Sequence, residues 1–308
     1  MNRLMTVVMY HYVRNFSRTR FPGIKGLDIR QFKAQVAYFQ KNYTFVSYDH
    51  VRDHIYNGVD LPEKPILLTF DDGYSDHYQY VFPVLDELKI KACFFPPAQA
   101  VLEHKLLDVN KIHFTLASTE DHAALLKDAF DLVEDEEGVD VEAIRKEYFT
   151  PNRYDGPEVN CFKRMFQKAL PETLRERVLS KIFEKYVTKD ERAFAEELYL
   201  SVDQLKTMLR HGMTIGSHGD SHCWMDTLSK EDQEKEIIRS LDFLTSLGVK
   251  SKDWSICYPY GAHNQSLRNL VEKHGGTIGF TTVPQLSLLS RDEALTLARL
   301  DTNDFPKD

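Results

Sequence analysis

Cysteine is scarce in this chain: Cys93, Cys161, Cys223 and Cys257 are the only four in 308 residues. No two form a C-x-x-C pair, which excludes a zinc ribbon and a dithiol redox motif, and four scattered thiols imply no disulfide framework. Cys93 and Cys257 sit in apolar runs and read as buried thiols. Long hydrophobic stretches are missing as well. The opening MNRLMTVVMYHYVRNF carries an apolar run of only about seven residues, broken by His11 and Arg14 and without a small-residue cleavage site, so it reads as a strand and not a secretory signal. Nothing approaches the ~20 apolar residues of a membrane span. The expectation is a soluble, cytoplasmic protein. Positive charge is in deficit, with 39 Lys and Arg against 47 Asp and Glu and a net charge of −8. A nucleic-acid partner is therefore not expected.

What the chain does have is an ordinary globular composition, 42% hydrophobic and 28% charged, with 15 Tyr and 19 Phe. Aromatics at that level suit sugar binding and suit any core. The length suffices for one large α/β domain, or for one domain carrying an insertion. Short apolar runs alternate with amphipathic helical patterns. Thr6 to Tyr12, Pro65 to Phe70, Ala92 to Phe95, Met213 to Ser217, Trp254 to Tyr258 and Thr277 to Thr281 read as strands. Residues 28–42, 76–88, 202–211, 229–247 and 264–274 read as helices. Alternating units predict a parallel sheet, open or closed into a barrel, with its chemistry on loops at the carboxyl ends of strands. Residues 102–199 break this rhythm. They are mostly helical in pattern, with an acidic stretch from Asp131 to Asp140, and read as a helical insertion over the barrel mouth or side. Residues 1–101 and 200–308 then make up the main domain.

Four strings carry candidate chemistry, each at a predicted strand end. Thr69-Phe70-Asp71-Asp72-Gly73-Tyr74 runs an apolar strand into two adjacent carboxylates. Neighbouring side chains at a strand end point different ways, so one carboxylate can bind a metal while the other faces substrate. Taken alone, the string also suits a solvated turn. Gly216-Ser217-His218-Gly219-Asp220-Ser221-His222 places two imidazoles four residues apart, good ligands for a divalent transition ion. One aspartate with two histidines leaves coordination positions open, as a catalytic metal requires and a closed structural zinc site does not. Tyr258-Pro259-Tyr260-Gly261 forces a sharp exit from a strand and could present a backbone N–H. Tyr10-His11-Tyr12 ends the first strand, where a histidine is commonly a satisfied core residue.

Together these strings resemble the polysaccharide deacetylases, the NodB-homology or carbohydrate esterase family 4 group, over roughly residues 5–101 and 200–303. The resemblance implies a distorted (β/α) barrel. Position by position it implies Asp71 as general base and Asp72, His218 and His222 as metal ligands. The metal would be zinc, with cobalt, nickel or manganese as other candidate ions. The Tyr260 amide would help bind the oxyanion. Two positions depart from the family pattern. Gly219 replaces a hydroxyl residue, and Cys257 stands where an arginine normally precedes the third motif's tyrosine. Arg299 is a candidate for the missing guanidinium and is also counted with the substrate-binding residues. The family's late Leu-x-His acid has no counterpart, but the Tyr-His element resembles the branch that deacetylates poly-N-acetylglucosamine, which makes His11 the expected proton donor. Tyr74, Trp224, Tyr258 and Tyr260 are candidates to stack on a sugar.

The function so implied is metal-dependent removal of an N-acetyl group from an amino sugar: a nucleotide sugar, a lipid-linked or oligosaccharide precursor, or material for a cell-surface polysaccharide. A deformylase or other linear-amide hydrolase of the same fold, and an inactive carbohydrate-binding module, are the competing expectations. The sequence does not set the oligomeric state.

Overall fold

The computed structural model describes residues 3–152 and 155–308, and the chain divides into two compact units. The first comprises residues 1–15, 26–105 and 195–308, and the second residues 16–25 and 106–194.

The first unit is a barrel of parallel strands. The strands of its ring are β1 (Arg3–Tyr10), β2 (Pro65–Asp71), β3 (Cys93–Phe95), β4 (Thr214–Ile215), β5 (Trp254–Cys257), β6 (Gly276–Phe280) and β7 (Leu300–Asp301), and outside it Ser287–Leu289 pairs antiparallel with β1 and Thr44–Phe45 parallel with β2. β1 pairs with β2, β2 with β3, β3 with β4, and β5 with β6, all parallel. Single parallel bridges, Ser217 with Ile256 and Phe280 with Leu297, carry the pairing from β4 to β5 and from β6 toward β7. β7 returns to β1, with Val8 opposite Leu300, and closes the ring. Short strands and two one-residue bridges make the barrel irregular, which is the expected distorted (β/α) form. Every residue of β2 is buried. A strand flanked by parallel neighbours and covered on both faces needs the continuous apolar run that Pro65 to Phe70 supplies.

Helices fill the crossovers, and their starts are written in capping chemistry. Asp28 caps Ile29–Asn42 in a reciprocal box with Gln31, Ser201 caps Val202–Arg210 with Gln204, and Asn264 caps Gln265–Lys273. Such caps satisfy backbone N–H groups that have no partner inside the helix.

Four particulars differ from the sequence reading. The first strand ends at Tyr10, so His11 lies just beyond it and its side chain is 43% exposed, which is not the setting of a core histidine. The helix expected over 76–88 opens with a π-helical turn, His77–Val81, before Phe82–Glu87. The structure adds a helix, Tyr48–Asn57, bracketed by Ser47 and left-handed Gly58. Finally, Phe16–Lys25 belongs with the second unit and not with the barrel. That unit is helical, with its own core around Leu125, Ala129, Cys161, Phe166 and Leu179.

Candidate metal centre and catalytic carboxylate

The four motifs meet at the carboxyl end of the barrel. β2 ends on Asp71, His218 and His222 follow β4, Tyr258 follows β5, and His11 follows β1. Asp72 Oδ1 lies 3.3 Å from His218 Nε2 and 3.2 Å from His222 Nε2. All three residues are buried. His218 Nδ1 is 2.7 Å from the Cys257 carbonyl oxygen. That oxygen can only accept, so Nδ1 carries a proton, and Nε2, facing Asp72, is the nitrogen left to donate to that carboxylate or, once deprotonated, to bind a cation. Burial pushes the Asp72 carboxyl up, but the hydrogen bonds from His218 and His222 prevail and hold it well below the usual carboxylate range. One carboxylate and two imidazoles, with three ligand atoms mutually within 4.8 Å, fit a divalent transition ion.

Asp71 is handled differently. It is 1% exposed, and Arg299 grips it with two parallel bonds, Nη1 to Oδ1 at 2.9 Å and Nη2 to Oδ2 at 2.7 Å. Arg299 is itself anchored by Nε to the Thr281 carbonyl and by Nη1 to Thr69 Oγ1. Burial opposes ionisation of Asp71, yet the Arg299 charge outweighs it and brings the carboxyl down to about 2. The Cys257 thiol donates to the same carboxylate at 3.4 Å. Asp71, His218 and Cys257 also form a cluster with metal-ligand spacing. With a guanidinium already spanning both Asp71 oxygens, the Asp72 cluster is the better candidate of the two for a cation.

The backbone around the centre is strained. Asp72, His222 and Tyr260 are non-glycine residues with φ of 69°, 60° and 59°, conformations that cost on the order of 1–3 kcal/mol each and concentrate at functional sites. Gly73, at φ 66°, could not be replaced cheaply, because a Cβ would stand 2.6 Å from that of Pro96. Gly219 has φ 72°, a conformation that disfavours a side chain, and a Cβ there would stand 3.2 Å from Glu236 Oε2. Glu236 reaches this loop from its helix, Lys230–Ser246. Its carboxylate accepts from the Asp220 and Ser221 amides at 2.8 and 3.1 Å and from Ser221 Oγ at 2.7 Å. The loop between the two histidines is thus tied to the helix behind it.

His11 Nε2 lies 3.9 Å from Asp71 Oδ2. Its carbonyl accepts from Nε2 of buried His77 at 2.8 Å, and burial brings the His77 imidazole down to about 4, so it stays neutral. Trp224 and Tyr260 stack face to face, 4.4 Å apart and 3° from parallel, with Tyr260 4.8 Å from His222. Both are partly exposed.

Three expected substrate contacts are corrected. Tyr74 and Tyr258 are wholly buried, and neither has a ring face for a sugar. Arg299 is 1% exposed and has its guanidinium committed to Asp71, Thr69 and Thr281, so it cannot reach substrate. Glu236 and His77 went unnoticed in the sequence. Neither stands in a motif, and a glutamate or histidine on a helix carries no local mark of what it caps.

Comparison with known proteins identifies the family. The polysaccharide deacetylase family profile matches residues 58–142 and 177–279, more than half of the chain. The match enters the helical stretch on both sides and begins after the Tyr-His element, so its reach differs from the resemblance drawn over 5–101 and 200–303. The YxkH protein of Bacillus subtilis (strain 168) is 20% identical over 94% of this chain and 68% of its own length. The poly-beta-1,6-N-acetyl-D-glucosamine N-deacetylase of Escherichia coli (strain K12) is 37% identical over 78 residues, 25% of this chain and only 11% of that protein. Among solved structures, the Streptococcus pyogenes deacetylase PplD, in complex with acetate, superposes with a TM-score of 0.58 at 16% identity, over 98% of this chain and 93% of that one.

Proposed function

The chain belongs to the polysaccharide deacetylase family, and from that premise we propose that it is a metal-dependent hydrolase that removes the acetyl group from an N-acetylated amino sugar. One observation carries the reading: three ligand atoms converge at Asp72, His218 and His222 beside a second carboxylate, Asp71, that a guanidinium keeps separate and ionised.

A divalent ion held by Asp72, His218 and His222, with zinc the first choice for this donor set, would supply Lewis acidity toward the acyl oxygen and a more acidic water. The remaining steps belong to the chain. Asp71 accepts the proton of the attacking water, and its depressed pKa keeps it ready to do so across the physiological range. Arg299 fixes the plane of that carboxylate, so the proton acceptor does not rotate. The Tyr260 amide, on its left-handed turn, donates to the oxygen that gains charge as the water adds, a contribution of roughly 3–4 kcal/mol for a good donor. The C–N bond then breaks. An amine leaves poorly unless protonated, and His11, exposed and beside Asp71, gives it the proton. Acetate and the free amine are the products. The outer face of the Trp224–Tyr260 stack offers an apolar platform to a sugar ring.

The test is mass spectrometry of purified, metal-loaded protein incubated with acetylated nucleotide sugars, N-acetylglucosamine oligosaccharides and their formyl analogues. Loss of one acetyl mass from at least one sugar supports the reading. Turnover of the formyl compounds alone refutes it in favour of deformylation, and binding without turnover refutes it in favour of a carbohydrate-binding module.

A further inference from the structure

Tyr74, removed above from the sugar-binding set, has another task. Its phenol donates to Asp72 Oδ2 at 2.6 Å, while Asp72 Oδ1 faces both imidazoles. The ring is wholly buried and held flat against Tyr12, with centroids 4.0 Å apart and planes 14° from parallel. Its backbone is held too, since Tyr74 bridges Tyr199 and Gly73 accepts from the Leu200 amide. The phenol therefore approaches Asp72 from a fixed direction, and the two oxygens of that carboxylate are not equivalent.

The difference matters to a ligand set. A free carboxylate can swing to chelate a divalent ion with both oxygens, and a second oxygen occupies a coordination position. Catalysis needs that position for water or the acyl oxygen. We propose that Tyr74 is a positioning residue that makes Asp72 a one-oxygen ligand: its phenol holds Oδ2, so that only Oδ1 is presented to the ion. The inference rests on the reading that Asp72, His218 and His222 hold a divalent ion.

Two measurements test it on the full chain. In the wild-type protein, the infrared difference between zinc-loaded and metal-free samples should show the wide carboxylate splitting of one-oxygen ligation. In Tyr74→Phe, which keeps the ring and loses only the hydroxyl, zinc affinity by chelator competition should weaken ~10–100-fold, the range found when outer hydrogen bonds to ligands are removed. The visible spectrum of the cobalt form should lose intensity as the coordination number rises. A purely structural role would lower the melting temperature of the metal-free protein and leave the cobalt spectrum unchanged. A narrow, chelating splitting in the wild type overturns the inference even if Tyr74→Phe does not fold, and so does a variant with unchanged affinity and spectrum. If instead His218→Ala retains as much metal as the wild type, the parent reading fails and this one falls with it.

Discussion

Removing the guanidinium from Asp71 should cost both stability and activity while leaving every proposed metal ligand in place. Arg299 and Asp71 are both essentially inaccessible to water and joined by two charge-assisted bonds of 2.9 and 2.7 Å. The Asp71 carboxyl lies at about 2 in the folded chain, with burial opposing the shift and Arg299 driving it. Against an unfolded value of ~3.9, that difference is worth about 2–3 kcal/mol of stability at neutral pH. The sign follows from the depressed value: the contribution is complete above pH ~4 and is lost as the pH falls toward 2. Arg299→Leu does more than cancel it, because burial then acts unopposed on a stranded carboxylate, and breaking a buried pair from one side costs ~3–5 kcal/mol. Urea denaturation at pH 7 should show a loss of that size. The acid limb of kcat against pH should also move up by ~2 units or more, since the base must now ionise without its partner. Arg299→Lys, which restores the charge but not the fork, should recover part of the stability and less of the rate. If Arg299→Leu kept the wild-type acid limb, either Asp71 is not the base or its ionisation does not depend on Arg299, and the reasoning would be refuted.

Three further substitutions probe other parts of the centre. His11→Ala should depress hydrolysis of an acetamide by ~10²–10⁴-fold, the usual worth of a positioned acid, and should spare an activated ester whose leaving group needs no proton; equal losses on both substrates would remove His11 from that role. Trp224→Ala should raise KM roughly 2–10-fold with little change in kcat, as expected for an aromatic contact of ~0.5–1.5 kcal/mol, and a kcat effect alone would contradict a platform. Glu236→Ala should weaken zinc retention ~10-fold or more by freeing the histidine loop, read by metal analysis after dialysis against a graded chelator series.

Much of this was legible in the sequence, because the barrel and its motifs are written locally. Pro65 to Phe70 is apolar at every position but one, and only a strand covered on both sides uses such a run. The carboxylate pair and the two histidines each follow a strand that the pattern marks. The Tyr48–Asn57 helix is equally legible, with Ser47 before it, Gly58 after it and Val51 and Ile55 on one face. Other features could not be read from the chain. Tyr74 and Tyr258 look like exposed aromatics beside a catalytic motif, and nothing in a one-dimensional string says that one ring lies under Asp72 and the other packs 5.2 Å from His263. β7 is two residues long and has no periodicity to detect. The attachment of Phe16–Lys25 to the helical unit depends on contacts such as Phe21 with Phe114 and Phe194, about 90 and 170 residues downstream.

The departure at Cys257 ties the catalytic reading to the way the barrel closes. Where the resembled motif has an arginine, this chain has a small thiol, and the guanidinium arrives from the far end of the sequence. Arg299 lies between Leu297, which bridges β6, and Leu300, which pairs with Val8 of β1. The segment that completes the ring of strands therefore carries the group that ionises and orients Asp71. A long side chain at position 257 would compete for the same space, since the Cys257 Sγ already stands 3.4 Å from Asp71 Oδ2. The two positions should be coupled: Cys257→Arg alone should crowd the site and destabilise the fold, and pairing it with Arg299→Ala should recover stability and part of the activity lost in either single variant. Additive losses in that double-mutant cycle, measured by denaturation midpoint and kcat, would mean that the two side chains do not share one role.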